Sequence, residues 1–362
     1  MTDAFGIYIH WPFCRSKCPY CDFFSQVRPH IDQDALVDDY LRELDFYARL
    51  TASREVTSIF FGGGTPSLLS PSNISRLLEH IARRWQLSSK VEISLEANPN
   101  TNQPHLFSDL KQAGINRLSL GVQALNDPDL KFLGRTHTLA QALAAAEDVV
   151  KTFSNHSLDL IYARPGQTAA SWQSELQQAV KLGFKHLSAY QLTIEPNTIF
   201  ARRGIKPLAE EKALELYRLT NDFLAAEDYP RYEISNYACP AAQCRHNLLY
   251  WQGQDYIGIG PAAHGRLHCD DKFYATTHRC QLEELSAAER AEELLLMGLR
   301  LVEGIDKTRF AQECGLNFDD LIDQEAKRNF IAQGLLLDSA ENFRLSSSGF
   351  YVMNYILSRL CA

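Results

Sequence analysis

Cys14-x3-Cys18-x2-Cys21 places three thiols within eight residues, and no other part of the 362-residue chain groups cysteines so tightly. A structural zinc takes four closed ligands, normally as two separated pairs. This loop offers three, unevenly spaced, with no nearby fourth Cys or His at zinc-finger spacing. A [4Fe–4S] cluster has four irons, each wanting an external ligand, so three cysteines leave one iron open to a small molecule. The count of nine cysteines is odd, and Met1–Gly6 has neither a charged nor an apolar signal-like region. Both facts argue against a disulfide framework and for a reducing compartment, so a cytoplasmic protein is expected.

The next group of residues with chemical potential is Gly62-Gly63-Gly64-Thr65-Pro66, which ends the strand-like run Val56–Phe61. A backbone without side chains lets a ligand approach and take N–H donors. Further along, Glu96 ends a strand from Val91, and Gln123 ends a strand from Arg117. The elements that position these residues repeat in one order. Gly6–His10, Val56–Phe61, Val91–Leu95, Arg117–Val122, Leu158–Tyr162 and His186–Thr193 read as strands, rich in β-branched and apolar residues. Between and after them, Asp32–Leu50, the segment after Ser72 as N-cap, Gln103–Ala113, Leu139–Val150, Ser171–Leu182 and Glu210–Ala226 read as helices. Strands alternating with helices on short links form a parallel α/β layer with right-handed crossovers. Six such units fall short of the eight of a complete barrel, so the expectation is a partial (β/α)6 TIM-like barrel over residues 1–228. The cysteine loop, the glycine run, Glu96 and Gln123 then all map to the C-terminal mouth of the sheet, where barrel enzymes build their sites.

Beyond residue 228 the pattern changes. Residues 229–284, rich in aromatics, Gly and Pro, read as an irregular connection lying against the barrel. Ser286 and Glu289 form a capping box for a helix to about Val302. Thr308–Cys314, Phe318–Gln333 and Ser348–Leu360 read as further helices, with a hairpin at 335–345, so residues 285–362 make a small winged-helix-like domain. Net charge is −8, from 36 Lys+Arg against 44 Asp+Glu, and no helix is basic, which argues against nucleic acid as a partner. Hydrophobic residues at 45% and charged residues at 22% describe an ordinary globular chain. No apolar run approaches the length needed to span a bilayer.

Tyr8-x-His10-x-Pro12-Phe13-Cys14-x3-Cys18-x-Tyr20-Cys21 resembles the signature of the radical S-adenosylmethionine (SAM) superfamily. More narrowly it resembles the branch that holds oxygen-independent coproporphyrinogen III oxidase and the HemW-type heme chaperones. The resemblance implies that Cys14, Cys18 and Cys21 hold a [4Fe–4S] cluster and that SAM chelates the open iron. It also implies that one electron from the reduced cluster cleaves the sulfonium to a 5′-deoxyadenosyl radical. The glycine run matches the family's GGGTP motif, giving Gly63, Gly64 and Thr65 a SAM-binding role. By the same resemblance Tyr8, Tyr20, Glu96, Gln123, Arg135 and Asp159 fall on SAM-contacting positions. Glu96 and Asp159 suit an amino group or ribose hydroxyls, and Arg135 suits the SAM carboxylate.

Within the branch, the oxidases carry a fourth cysteine two residues after the third, a position occupied here by Phe23, and a longer arm before the cluster motif. His246-Asn247-x2-Tyr250-Trp251 resembles the HNxxYW motif of the chaperones, which implies heme binding at His246. A neutral imidazole is a good axial ligand, and the aromatics offer flat faces; a loop histidine beside two core aromatics is the plainer alternative. Cys239-Pro240 is a common dipeptide, and Cys239, Cys244, Cys269 and Cys280, without a close pair, read as structural thiols. His264 lies in a glycine-bounded turn that faces the site or solvent, and Ala163-Arg164 departs from the family's glycine–leucine. The expectation is a heme chaperone that carries a cluster and SAM and delivers heme to apo-hemoproteins such as respiratory enzymes. By resemblance it is a homodimer; an electron donor and transient contact with membrane proteins are further expected partners. The alternatives are a coproporphyrinogen-decarboxylating radical enzyme and a non-catalytic zinc scaffold.

Overall fold

A computed structural model describes residues 4–99 and 105–361. Its centre is a sheet of eleven strands. The first six in chain order are β1 (Phe5–Trp11), β2 (Glu55–Gly63), β3 (Gln86–Ala97), β4 (Arg117–Gln123), β5 (Asn155–Tyr162) and β6 (His186–Gln191). They pair in that order, all parallel. Helices Gln33–Thr51, Pro71–Arg84, Leu139–Thr152, Ala169–Lys181 and Glu210–Ala226 supply the outer layer. Their apolar stripes, for example Ile74, Leu77, Leu78 and Ile81, are buried in one core with Ile7, Ile59, Leu95, Leu118 and Leu158. This is the helical repeat read from the sequence, placed against strands buried on both faces.

The segment 229–284 corrects the expectation of an irregular connection. It contains β7 (Asn236–Ala238), the helix Arg245–Trp251, β8 (Asp255–Ile259), β9 (Gly265–Cys269), β10 (Lys272–Thr277) and β11 (Gln281–Leu285). β8 pairs in parallel with β1, Ile9 opposite Ile259, so the chain returns to the first strand and lengthens the parallel layer. β9, β10 and β11 continue antiparallel beyond it, and β7 closes antiparallel on β6. The sheet thus runs from edge β11 to edge β7 without closing. Short runs, internal glycines and a partner more than 240 residues away hid these strands from a reading of local periodicity.

Local corrections have identifiable causes. Ser70, not Ser72, caps its helix: its side chain accepts from the Asn73 N–H, and Pro71 fills the first helical position, where a missing N–H costs nothing. Helix Leu106–Gln112 begins later than expected, and residues 103 and 104 lie outside the described residues. The 318–333 segment divides into the 3-10 turn Phe318–Asp320 and the helix Gln324–Ala332, because Asp323 caps the second piece. The capping box Ser286–Glu289 is present, but that helix ends at Gly298, where Ile305 packs against the glycine. A second apolar core, built around Leu294, Phe310, Phe318, Phe343 and Ile356, organises the C-terminal helices and the three-stranded sheet Ile305–Asp306, Asn342–Leu345 and Leu336–Asp338. Among the described residues no helix is long and apolar enough to cross a membrane.

Candidate functional site

The cysteine loop leaves β1 through Phe13–Cys14, which pairs with Gln26–Val27, and the Gln26 N–H donates to the Pro12 carbonyl at 2.7 Å. The loop is therefore tied at its base. Within it the Cys21 N–H donates to the Cys18 carbonyl at 3.1 Å, and all three thiols are free and half-buried. Among the described residues no three His, Cys, Asp or Glu side chains converge as they would on a single ion; in a cubane each iron takes its own thiolate. The glycine run is laced to the same strand. Gly64 N–H donates to the Trp11 carbonyl at 2.6 Å and Thr65 N–H to the Phe13 carbonyl at 2.9 Å. Gly63 has φ +106° and a Cβ there would meet the His10 ring at 2.6 Å, while a Cβ on Gly64 would stand 2.6 Å from the Phe13 carbonyl oxygen and push the cradle away from the cysteine loop.

A cavity of about 390 Å³ lies between loop and cradle. Cys14, Cys18 and Cys21 line it, as do Tyr20, Gly63, Gly64, Thr65, Glu96, Gln123, Arg135 and Asp159. Tyr8 and His246 do not. They line a neighbouring cavity of about 460 Å³ in the barrel interior. Phe23, Glu96, Asp159 and Tyr190 line both and form the shared wall.

Arg135 spans the first cavity. It donates to Cys18 Sγ at 3.4 Å, to Asn98 Oδ1 at 2.5 Å and to the Gly121 carbonyl at 2.6 Å. Asn98 in turn donates to Thr65 Oγ1 at 3.1 Å, so the cation is braced against both the cysteine loop and the cradle. Gln123 sits at φ +77° with its Oε1 buried and unpartnered, and Arg135 Nε is likewise unpartnered. Buried polar atoms of this kind are uncommon without a ligand or water to meet them.

Two carboxyls face each other across the wall. Burial and then the Asp159 charge push Glu96 up to about 8, against a hydrogen bond from Gly63. Burial also raises Asp159 to about 6, opposed by Ser188 and Ser119, whose hydroxyl lies 2.9 Å from the carboxylate. Asp159 is inside β5 and not at its end. Burial, followed by Glu96, raises the Tyr8 phenol above its ordinary range.

His10 ties the two cavities together. Its Nε2–H donates to the Phe24 carbonyl at 2.9 Å, because a carbonyl only accepts; its Nδ1 therefore accepts from Tyr8 Oη at 3.0 Å. His246 lies on the helix Arg245–Trp251, whose first N–H groups are held by Glu92 Oε1. Its ring is buried and stacks on Phe60 at 5.3 Å. Nδ1 meets Ser58 Oγ at 2.8 Å and Nε2 meets Tyr250 Oη at 2.5 Å. Burial takes its pKa down to about 3, so it is neutral, with both nitrogens engaged.

Several residues at the site escaped the sequence reading. Asn98 follows Glu96 by two residues at the mouth, a position that barrel geometry recommends. Arg117 is buried at the cavity floor, 2.8 Å from Ser157 Oγ and 3.5 Å from Glu92. Arg164, noted only as a departure from a family pattern, is buried between Glu175 and Asp129. It donates to the Ile161 carbonyl at 3.0 Å and the Gln123 carbonyl at 3.4 Å.

A partial barrel with three thiols, a glycine cradle and unpartnered polar atoms at its mouth has the donor set that a [4Fe–4S] cluster and SAM require, and the class it defines is the radical SAM protein. The family model of the radical SAM superfamily matches residues 8–179, and that of the HemN C-terminal domain matches residues 285–352. The heme chaperone HemW of Escherichia coli K12 is 37% identical over 99% of this chain and 98% of its own length. HemW of Buchnera aphidicola from Schizaphis graminum is 42% identical over 72% of this chain and 70% of its own. The mitochondrial radical S-adenosyl methionine domain-containing protein 1 of Bos taurus is 34% identical over 98% and 87%. The chain belongs to the HemW family of the radical SAM superfamily. In fold it matches the Escherichia coli coproporphyrinogen III oxidase HemN with a TM-score of 0.83, at 22% identity, over 99% of this chain and 90% of that one.

Proposed function

We propose that this protein is a heme chaperone that binds heme, a [4Fe–4S] cluster and SAM and passes heme to apo-hemoproteins, respiratory enzymes among them. The observation that carries the reading is the similarity, along nearly the whole chain, to a relative named as a heme chaperone. The site supports it. The position that a fourth cysteine takes in the oxidase branch holds Phe23, which is 63% exposed at the cavity mouth.

In this reading Cys14, Cys18 and Cys21 hold three irons, and the Gly63–Thr65 backbone faces the methionine end of SAM. Arg135 and Gln123 offer it polar atoms, Glu96 and Asp159 accept from it, and Tyr20 completes the wall. When bound, the cluster supplies one electron to SAM, drawn from an external donor. The protein's own contribution is positional. Arg135 and Asn98 keep the cradle in register with the cysteine loop, and His10 fixes the Phe24 end of that loop.

The test is hemin titration after anaerobic cluster reconstitution. A stoichiometric Soret band is expected, and its absence refutes the proposal. Formation of protoporphyrinogen IX from coproporphyrinogen III, with SAM consumed, would replace the chaperone reading by oxidative decarboxylation.

A further inference from the structure

We infer that the heme cargo sits at the mouth of the barrel interior, between the aromatic lip Phe23–Phe24 and the imidazole of His264, and that His264 supplies its iron ligand. The inference rests on the chaperone reading and deepens it by assigning the seat.

Four histidines line the cavity, and availability together with access decides among them: His10 has both ring nitrogens bonded, and His186, although its Nδ1 is unpartnered, is buried in the core. Axial ligation needs a ring lone pair aimed at the metal. His246 has none to give without breaking its bonds to Ser58 and Tyr250 inside the core. His264 is exposed, lines the 460 Å³ cavity and makes no hydrogen bond among the described residues.

It is also held in place. A Cβ on Gly258 would stand 2.3 Å from the His264 carbonyl oxygen, so the turn lies flat on β8, and only glycine permits that approach. β8 pairs with β1 through Ile9 and Ile259, which sets the turn beside His10, and the His10 ring lies 6.2 Å from Phe24. The ligand and the lip therefore share one rigid scaffold.

The lip suits a flat apolar macrocycle. Phe23 is 63% exposed, Phe24 46% and Tyr190 45%, and all three line the same opening. A single exposed aromatic is ordinary; three around one cavity mark a binding surface. The Lys17 ammonium lies 3.4 Å from the Phe23 carbonyl on the cofactor-cavity side of the lip, within reach of a propionate that extends past Phe23. The cavity volume falls within the range of cofactor sites. Because Phe23 also lines the cofactor cavity, a porphyrin seated here covers the wall that both cavities share.

The test titrates the reconstituted full-length protein with hemin and records affinity and Soret position for the wild type, H264A, H246Q and the double variant F23S/F24S. The expected result is more than about tenfold weaker binding by H264A, since disturbing even an outer partner of a metal ligand costs that much. Its Soret band should move and then return when free imidazole is added. H246Q should keep the wild-type Soret position, and F23S/F24S should bind more weakly with the Soret position retained. Wild-type affinity and spectrum in H264A would overturn the assignment while leaving the chaperone reading intact. No binding by the wild type would remove both. If F23S/F24S keeps full affinity but changes the oligomeric state, the lip is an interface between copies of this chain, and the assignment fails.

Discussion

Replacing Glu96 by Gln should make the cofactor-free protein more stable at alkaline pH, and the size of the effect follows from the site. The folded protein holds Glu96 at about 8 against 4.5 for an ordinary glutamate, through burial first and the Asp159 charge second. The sign follows from proton counting. Between these two values the unfolded chain has lost the proton and the folded chain retains it. Stability therefore falls as pH rises through that window, and is fully present only below 4.5. Each pH unit removes about 1.4 kcal/mol, which gives a ceiling of about 5 kcal/mol by pH 8, reduced in practice by relaxation and water entry. Gln stays neutral throughout and loses none of this. Urea denaturation of cofactor-free wild type and E96Q from pH 5 to 9 should show curves that separate steadily up to about pH 8 and run parallel above it. A gap that is constant across this range would refute the argument, because it would mean that Glu96 is not forced to ionise against its surroundings. The same strain explains a site that waits for positive charge: a sulfonium or amino group brought beside Glu96 favours its ionised form, so E96Q is expected to gain stability and lose SAM affinity together.

Substituting Arg164 by Leu should destabilise the protein by about 3–5 kcal/mol, because Glu175 would remain buried without its cation, and R164L/E175L should recover most of the loss in the same denaturation assay. A loss below about 0.5 kcal/mol, the level of ordinary surface changes, would show that the pair is not the anchor it resembles. G64A should leave substoichiometric iron after reconstitution, since its Cβ meets the Phe13 backbone and not a side chain that can turn away. H10F should lower cluster retention and cost about 1–3 kcal/mol by leaving the Tyr8 hydroxyl and the Phe24 carbonyl without a partner. H10Q, which restores a donor toward Phe24, should recover part of the retained iron.

The parts of the site that were legible in the sequence are those fixed by local chemistry. The cysteine spacing, the glycine run and the strand ends at Glu96 and Gln123 each carry their own physical signature, and alternating strands and helices bring them to one mouth without knowledge of distant contacts. Asp159 shows where this stops. Whether its carboxylate faces the cavity depends on pleat register, and it does so from within β5, supported by Ser119 on the neighbouring strand. Arg164 shows a second limit. Glu175 occupies the core-facing stripe of its helix with Trp172, Leu176 and Ala179. A charge on an apolar stripe calls for a buried partner, so a signal was available, but only the fold names the partner. The strands of 229–284 carried no comparable signal, because β8 is specified by β1 and not by its own five residues.

The histidines show most clearly why residue type does not amount to a site. Motif resemblance selects His246, and an imidazole is the right group for iron; a ligand, however, is a lone pair that nothing else is using. The fold encloses His246 between two hydroxyls and leaves His264 unbonded at the rim. The buried histidine then has a different consequence. Glu92 holds the start of its helix and Ser58 holds its ring, so His246 fixes Tyr250 and the inner wall of the cavity through contacts with β2 and β3. With heme seated as proposed, a substitution at His246 would weaken its binding by loosening that wall without touching the iron. Affinity alone cannot separate the two roles, whereas the position of the Soret band, which reports the ligand itself, can.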